Sequence, residues 1–316
     1  MGAAALRLTL AGLALAAGCA PGPHVSPPGG PALERTDAAL QAAVDAAVAG
    51  FDGRVGVYVR HLPTGRTAAV ASDSVFPSAS LVKVPILVGV ADAVERGALG
   101  WDDPLVFRDS LRYDAYGLFG QLRDGAAVPL HRAVEAMLSA SDNTASLWLQ
   151  GLVGGEAINA WLAAEGFAAT RVNSRTPGRE AAREAFGWGQ TTPREIAELV
   201  RRIAQSQAVA PGADEAMARA LGRTFYAGEA VGQVPPTVAV LSKQGAVSDA
   251  RSEVLYVAAP SGPYLLAVLT DGQADTGWAP DNAGWVLIRE LSALAWRAFE
   301  PASPWRPAPG RDRFGL

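Results

Sequence analysis

The chain has 316 residues, 49% of them apolar, and a formal net charge of −4. That suffices for a substantial core and supplies no basic surface, so a nucleic-acid partner has no electrostatic support. A single cysteine, Cys19, excludes an internal disulfide framework, and His24, His61 and His131 are too scattered to form a metal site. In chain order, residues 1–18 read as an export signal. Arg7 supplies the positive charge, and Leu8 to Ala17 form an apolar stretch too short to span a bilayer.

The stretch ends in Ala16-Ala17-Gly18-Cys19, which resembles a bacterial lipoprotein cleavage box with Ala in place of the usual Leu three before the cysteine. Cys19 is the expected lipid carrier, which would leave the protein periplasmic or at the cell surface; the alternative is an ordinary signal peptide. Residues 19–33, rich in Pro and Gly, read as a linker. Residues 34–300 form the expected single folded domain. The tail 301–316 repeats the linker composition, with an expected disordered tip.

Within the domain, Leu40, Val44 and Val48 predict an amphipathic helix over 34–50. Alternating Val55, Val57 and Val59, then Pro63-Thr64-Gly65 and residues 66–72, predict a hairpin. A long helical region is expected over about 80–230. In it, Thr192-Pro193-Arg194-Glu195 reads as a capping box opening a helix. Strands follow at about 237–243, 251–258 and 263–270, then a helix over 283–299 with Leu287, Leu291 and Leu294 on one face. This order predicts an α/β fold: an antiparallel sheet of about five strands flanked by N- and C-terminal helices, with a mainly helical second lobe.

The chemistry is signalled first by lysine usage. Of 27 basic residues only Lys83 and Lys243 are lysine. A lysine amine can lose its proton when its pKa is depressed, whereas a guanidinium stays charged, broad and planar. Lys83 lies three residues after Ser80, on the same face of a helical segment. There it is within reach of a hydroxyl that needs a base to become a nucleophile. Ser-x-x-Lys alone is also compatible with a capping serine and a solvated lysine. Ser141-Asp142-Asn143 follows 61 residues after Ser80, and Ser242-Lys243-Gln244-Gly245 ends a strand 102 residues beyond Ser141. Taken singly, these read as a helix-cap cluster and an edge-strand lysine before a turn. No Gly-x-Ser-x-Gly presents a serine for a Ser-His-Asp triad.

In this order and spacing, the three segments resemble the Ser-x-x-Lys, Ser-Asp-Asn and Lys-Thr-Gly motifs of class A β-lactamases and penicillin-binding proteins. The resemblance covers residues 34–300. It implies a secreted serine hydrolase with Ser80 as acylated nucleophile, Lys83 as its base partner, and Ser141 as a proton relay to the leaving nitrogen. Asn143 would bind the substrate amide, and Lys243 the substrate carboxylate region. The backbone N–H groups of Ser80 and Ala246 would form the oxyanion hole. No cofactor is implied. The implied substrates are β-lactams or related amides such as peptidoglycan peptides. A D,D-peptidase or amidase of the same fold, or a non-turnover penicillin-binding sensor or scaffold, stays open.

Two departures from the family pattern stand out. Gln244, beside Gly245, replaces a Thr or Ser hydroxyl, for which Arg251 on the next strand is a candidate substitute although its offset points it to the other face. The loop glutamate that activates the deacylating water aligns with Thr176. Glu180 could reach the site from a reshaped loop, or stand as a solvated charge among Arg175, Arg179 and Arg183. Deacylation is therefore expected to be slow. The runs Thr176–Glu180 and Gly187–Pro193 resemble a poorly characterised branch of bacterial serine hydrolases.

Overall fold

The computed structural model describes residues 31–307; the expected leader, Cys19 and residues 308–316 lie outside it. Six strands form the main sheet: β1 (Arg35–Thr36), β2 (Arg54–His61), β3 (Arg66–Val70), β4 (Val240–Val247), β5 (Ala250–Val257) and β6 (Tyr264–Asp271). Their order is β1-β3-β2-β6-β5-β4. All pairings are antiparallel except that of β1 with β3. The strand beyond the five expected is β1, which has only two residues, too few for a period-2 pattern to announce it.

Both faces of the sheet are covered. One packs against the helices Ala38–Val48 and Ala283–Phe299 through Leu40, Val44, Leu287 and Leu291, with Leu294 half-buried beside them. The other packs against the helical lobe through Tyr58, Val254, Leu265 and Leu269. This two-sided burial explains why β6 reads as an unbroken apolar run and not as an alternation.

The helical lobe is built around Lys83–Glu95, which buries Val84, Ile86, Leu87, Val88, Val90 and Ala91 all round its axis. Gly89 lets a neighbouring helix come close: a Cβ there would lie 2.6 Å from Ile158 Cγ1. The expected helical stretch is interrupted by two small sheets, of Phe76–Pro77 with Gly189–Thr191 and Arg171–Val172, and of Pro104–Val106 with Ala127–Pro129.

Two boundaries shift. The folded part begins before residue 34, because Ala32 N–H donates to the Leu62 carbonyl at 3.0 Å. In the tail, Trp305 packs against the cluster under the last helix.

Half of the capping box is present. Thr192 Oγ1 accepts the Glu195 N–H at 3.1 Å and starts the helix Pro193–Ala204. The Glu195 carboxylate does not return to the cap. It accepts instead from the N–H groups of Ala168, Ala169 and Thr170, and from Thr170 Oγ1. Glu195 thus ties down the chain that leads into the segment 173–188. Removing such charge-assisted bonds leaves backbone donors unpaired at a cost of about 1–3 kcal/mol. Glu195→Ala is expected to lower unfolding stability in urea by about 2 kcal/mol, and Glu195→Gln by less; equal stability of all three proteins would refute the tether.

Candidate active site

Ser80 lies in a 3₁₀ turn, Ala79–Val82, that leads directly into the helix begun by Lys83. Ala79 is held in the left-handed region at φ 45°, a strained conformation of the kind concentrated at functional sites. The turn is fixed from outside by the Ser78 N–H, which donates to the Gly189 carbonyl at 2.9 Å. It is also pressed against the sheet edge. A Cβ on Gly245 would stand 2.8 Å from the Ser80 nitrogen, so glycine is needed for β4 to approach this closely.

Lys83 is fully buried. Its Nζ lies 3.1 Å from Ser80 Oγ, 3.0 Å from Ser141 Oγ, 2.5 Å from the Ser141 carbonyl and 2.9 Å from Asn143 Oδ1. Ser141, at φ 55°, presents both its hydroxyl and its carbonyl to this nitrogen. Asp142 turns away to cap the helix Asn143–Val153, accepting the N–H groups of Ala145 and Phe119 at 2.7 and 2.9 Å. The triplet is therefore a helix cap and a polar site at once.

Strand alternation then places the third motif. Lys243 and Gly245 pair with Val254 and Ser252, on the face towards Ser80 and the helical lobe. Lys243 Nζ is 3.1 Å from Ser141 Oγ, so that hydroxyl sits between two lysine nitrogens. Gln244 pairs with Glu253 on the opposite face, but its strand is the open edge of the sheet, where Gln244 still lines the cleft with Ser80.

Burial pushes the Lys83 amine well below its ordinary pKa, and nearby Lys243 adds to the shift; Asp142 and Asp114 oppose it. Burial brings Lys243 down to about 7, against the pull of Glu253. A neutral Lys83 amine has two N–H donors and one lone pair. Directed at the Ser141 carbonyl and Asn143 Oδ1, the donors leave the lone pair for the Ser80 hydroxyl proton.

Two clefts meet at Ser80, Asn143 and Ala246. One, of about 500 Å³, runs past Ser141, Gln244 and Gly245 to Tyr226, Glu229, Trp278 and Trp285. The other, of about 460 Å³, runs to Tyr113, Trp188, Asp249 and Asp271. Ser80, Lys83, Ser141, Asn143, Lys243, Gln244, Gly245 and Ala246 are thus brought together.

Glu180 and Arg251 are not. Glu180 is exposed at the start of the helix Glu180–Phe186 and accepts the Gly178 N–H at 3.1 Å. It lines neither cleft. Thr176 is spent as well: its hydroxyl donates to the Ser174 carbonyl at 2.9 Å and it packs on Gly155. The segment meets the cleft through Ala185, Phe186, Gly187 and Trp188, which carry no base. Arg251 is fully buried and pairs with Ala246 on the face away from Lys243, bound to the carbonyls of Val247, Ala250 and Gly277.

Sequence reasoning missed the aromatic walls Tyr113, Trp188, Trp278 and Trp285 and the acids Glu229, Asp249 and Asp271. Only Trp188 lies in a run singled out by the sequence, Gly187–Pro193, and that run carried no role for it. Among the described residues no group of three or more His, Cys, Asp or Glu could hold a metal ion.

Comparison with known proteins agrees with this geometry. Residues 39–299 match the model of the family described as "Beta-lactamase enzyme family". The chain belongs to this β-lactamase family. Among its relatives, a β-lactamase of Streptomyces fradiae is 28% identical over 305 residues, spanning 92% of this chain and 94% of that protein. The crystal structure of a β-lactamase from Sphaerobacter thermophilus superposes with a TM-score of 0.74 at 28% identity, covering 84% of this chain and 99% of the other. A variant of PBP-A, seen as its acyl-enzyme complex with penicillin G, superposes with a TM-score of 0.76 at 25% identity, covering 85% and 99%. The family match and these relatives make the chain a class A-type serine hydrolase, and its fold is that of the class A β-lactamases.

Lys83→Arg replaces a readily deprotonated amine with a permanently charged guanidinium that offers no lone pair, and it overfills a fully buried site. It is expected to slow acylation by a β-lactam about 10²–10⁴-fold. In the unaltered protein, acylation should rise with pH through the depressed pKa of Lys83 and fade on acidification. Stopped-flow acylation rates from pH 4 to 9 check both; wild-type rates in Lys83→Arg would remove Lys83 as the base.

Proposed function

We propose that the protein is acylated on Ser80 by β-lactams or related amides and deacylates slowly. Neutral Lys83 takes the Ser80 proton as Oγ attacks the carbonyl carbon. The N–H groups of Ser80 and Ala246 receive the developing oxyanion. As the C–N bond breaks, the leaving nitrogen takes a proton from Ser141 Oγ, which the lysine nitrogens on either side replenish. Lys243 and Gln244 meet the substrate carboxylate.

Slow deacylation rests on one observation: the segment 173–188 approaches Ser80 with Ala185, Phe186, Gly187 and Trp188, and not with a carboxylate. The acids that do line the clefts have other settings. Asp271 is bound to Arg54 at 2.6 Å, Glu229 to Arg289, and Asp249 lies on the exposed turn between β4 and β5. Losing a positioned base costs about 10²–10⁴-fold in a step that needs one. The likeness to PBP-A, a variant of which forms an acyl-enzyme with penicillin G, supports a second reading in the same fold, a penicillin-binding protein.

Stopped-flow with a chromogenic cephalosporin should show a burst near one equivalent and then slow turnover. Intact-mass spectrometry should place one adduct on the Ser80 peptide, absent from Ser80→Ala. Rapid linear turnover that is lost in Glu180→Gln or Asp249→Asn would overturn the reading by revealing a working base.

We further propose that the chain is exported and anchored by a lipid on Cys19, supported by the charged and apolar residues 7–17 and the box that ends at the chain's one cysteine. Expressed in a bacterial host, it should partition into detergent, whereas Cys19→Ala should partition into water. Equal aqueous partitioning would leave an ordinary signal peptide.

A further inference from the structure

The arm of the cleft beyond Gln244 ends in a wall with an unusual support. Arg251 threads beneath it, fully buried, with its guanidinium 4.7 Å from the Trp278 ring centre and 5.3 Å from that of Trp285. Three carbonyls, of Val247, Ala250 and Gly277, take its terminal nitrogens, while its Nε has no partner. The Gly277 carbonyl is also held by Asn282 Nδ2 at 3.0 Å, so the residue before Trp278 is pinned from two sides. Gly284 leaves the space through which the Arg251 stem passes: a Cβ there would stand 2.8 Å from Arg251 Cγ.

Burying a guanidinium is costly unless it is bonded and packed. Here its stacking fixes the plane of two indoles. Trp285 is 7% exposed, whereas Trp278 is 65% exposed and lines the cleft with Tyr226. The charge in the same arm is offset, because Glu229 and Arg289 form a buried ion pair. An open indole face, rigidly backed, in an arm whose carboxylate is already paired suits a flat uncharged ring and gives a free cation no carboxylate of its own.

We infer that this arm is a subsite for a flat, uncharged aromatic ring attached beside the substrate carboxylate, with Trp278 as the stacking surface and Arg251 as its positioning residue. The placement of the ring rests on Ser80 as the acylation centre and on Gln244 as the carboxylate side. A stacked aromatic pair adds about three- to tenfold in affinity beyond the area it buries.

The test compares two cephalosporins that differ only at carbon 3, one carrying a flat neutral heteroaromatic ring and the other a methyl group. Binding is measured by calorimetry on Ser80→Ala, which cannot be acylated. The ring compound should bind about three- to tenfold more tightly. That advantage should vanish in Ser80→Ala with Trp278→Ala and persist with Trp278→Phe. It should also fall with Arg251→Leu while the methyl compound's Kd stays within about twofold, which general loss of structure would not produce. Arg251→Lys, which keeps charge and stem without the planar face, serves if Arg251→Leu does not fold. Equal affinities in Ser80→Ala, or an advantage that survives Trp278→Ala, would overturn the subsite; one that survives both Arg251 variants would overturn the positioning role. If neither compound acylates the unaltered protein, the reading of Ser80 falls on its own, and the binding comparison still judges the arm.

Discussion

Everything at this site depends on keeping the Lys83 nitrogen out of water. Desolvation disfavours the charged amine, and only a shell of acceptors makes its burial tolerable. That shell is drawn from two places in the chain, Ser80 on the same turn and Ser141 with Asn143 at the head of a helix; Lys243, one hydroxyl further on, is a second donor to Ser141 Oγ and pushes the Lys83 amine further towards its neutral form. The left-handed backbone at Ser141 and the missing side chain at Gly245 follow from it. Without the first, hydroxyl and carbonyl could not both face one nitrogen. Without the second, the sheet edge could not close on Ser80.

The sheet supplies a second kind of order. Strand alternation sends Lys243 to the face of Ser80 and the neighbouring Gln244 to the face of Glu253. Burial raises the Glu253 carboxyl to about 7, and the Ala230 N–H and the Ser242 hydroxyl bond to it. A single residue's shift in register would exchange these environments, so the site inherits its accuracy from the pairing of β4 with β5.

Much of this was legible in the sequence. The two lysines of an arginine-rich chain stand out by residue usage alone, and both nitrogens meet at Ser141 Oγ. The sheet strands were legible because period-2 and continuous apolar patterns are local. What stayed hidden depends on the path of irregular backbone. Nothing in the spelling of 173–188 tells that Thr176 turns onto Gly155, that Glu180 faces solvent, or that Trp188 comes to the cleft. Glu195 looked like the second half of a cap and bonds elsewhere, because three loop N–H groups compete for one carboxylate. The Arg251 offset was readable from strand parity, but its two tryptophan neighbours come from a loop and a helix more than 25 residues away.

The segment 173–188 is strapped at both ends. Glu195 holds the chain just before it, and Arg179 spans it, bonding Asn173 Oδ1 and Gln190 Oε1 at 2.8 Å each. The straps use none of the side chains that make the Lys83 network. The Lys83 network and the strip of chain beside it are therefore held by different side chains, and they meet through backbone where the Gly189 carbonyl accepts the Ser78 N–H. On the proposed reading, the time for which a ligand stays bound as an ester would be set by side chains of that strip, which can change while the Lys83 network keeps its own partners. Residence time would then be a surface trait of the molecule, open to change at little risk to its folding.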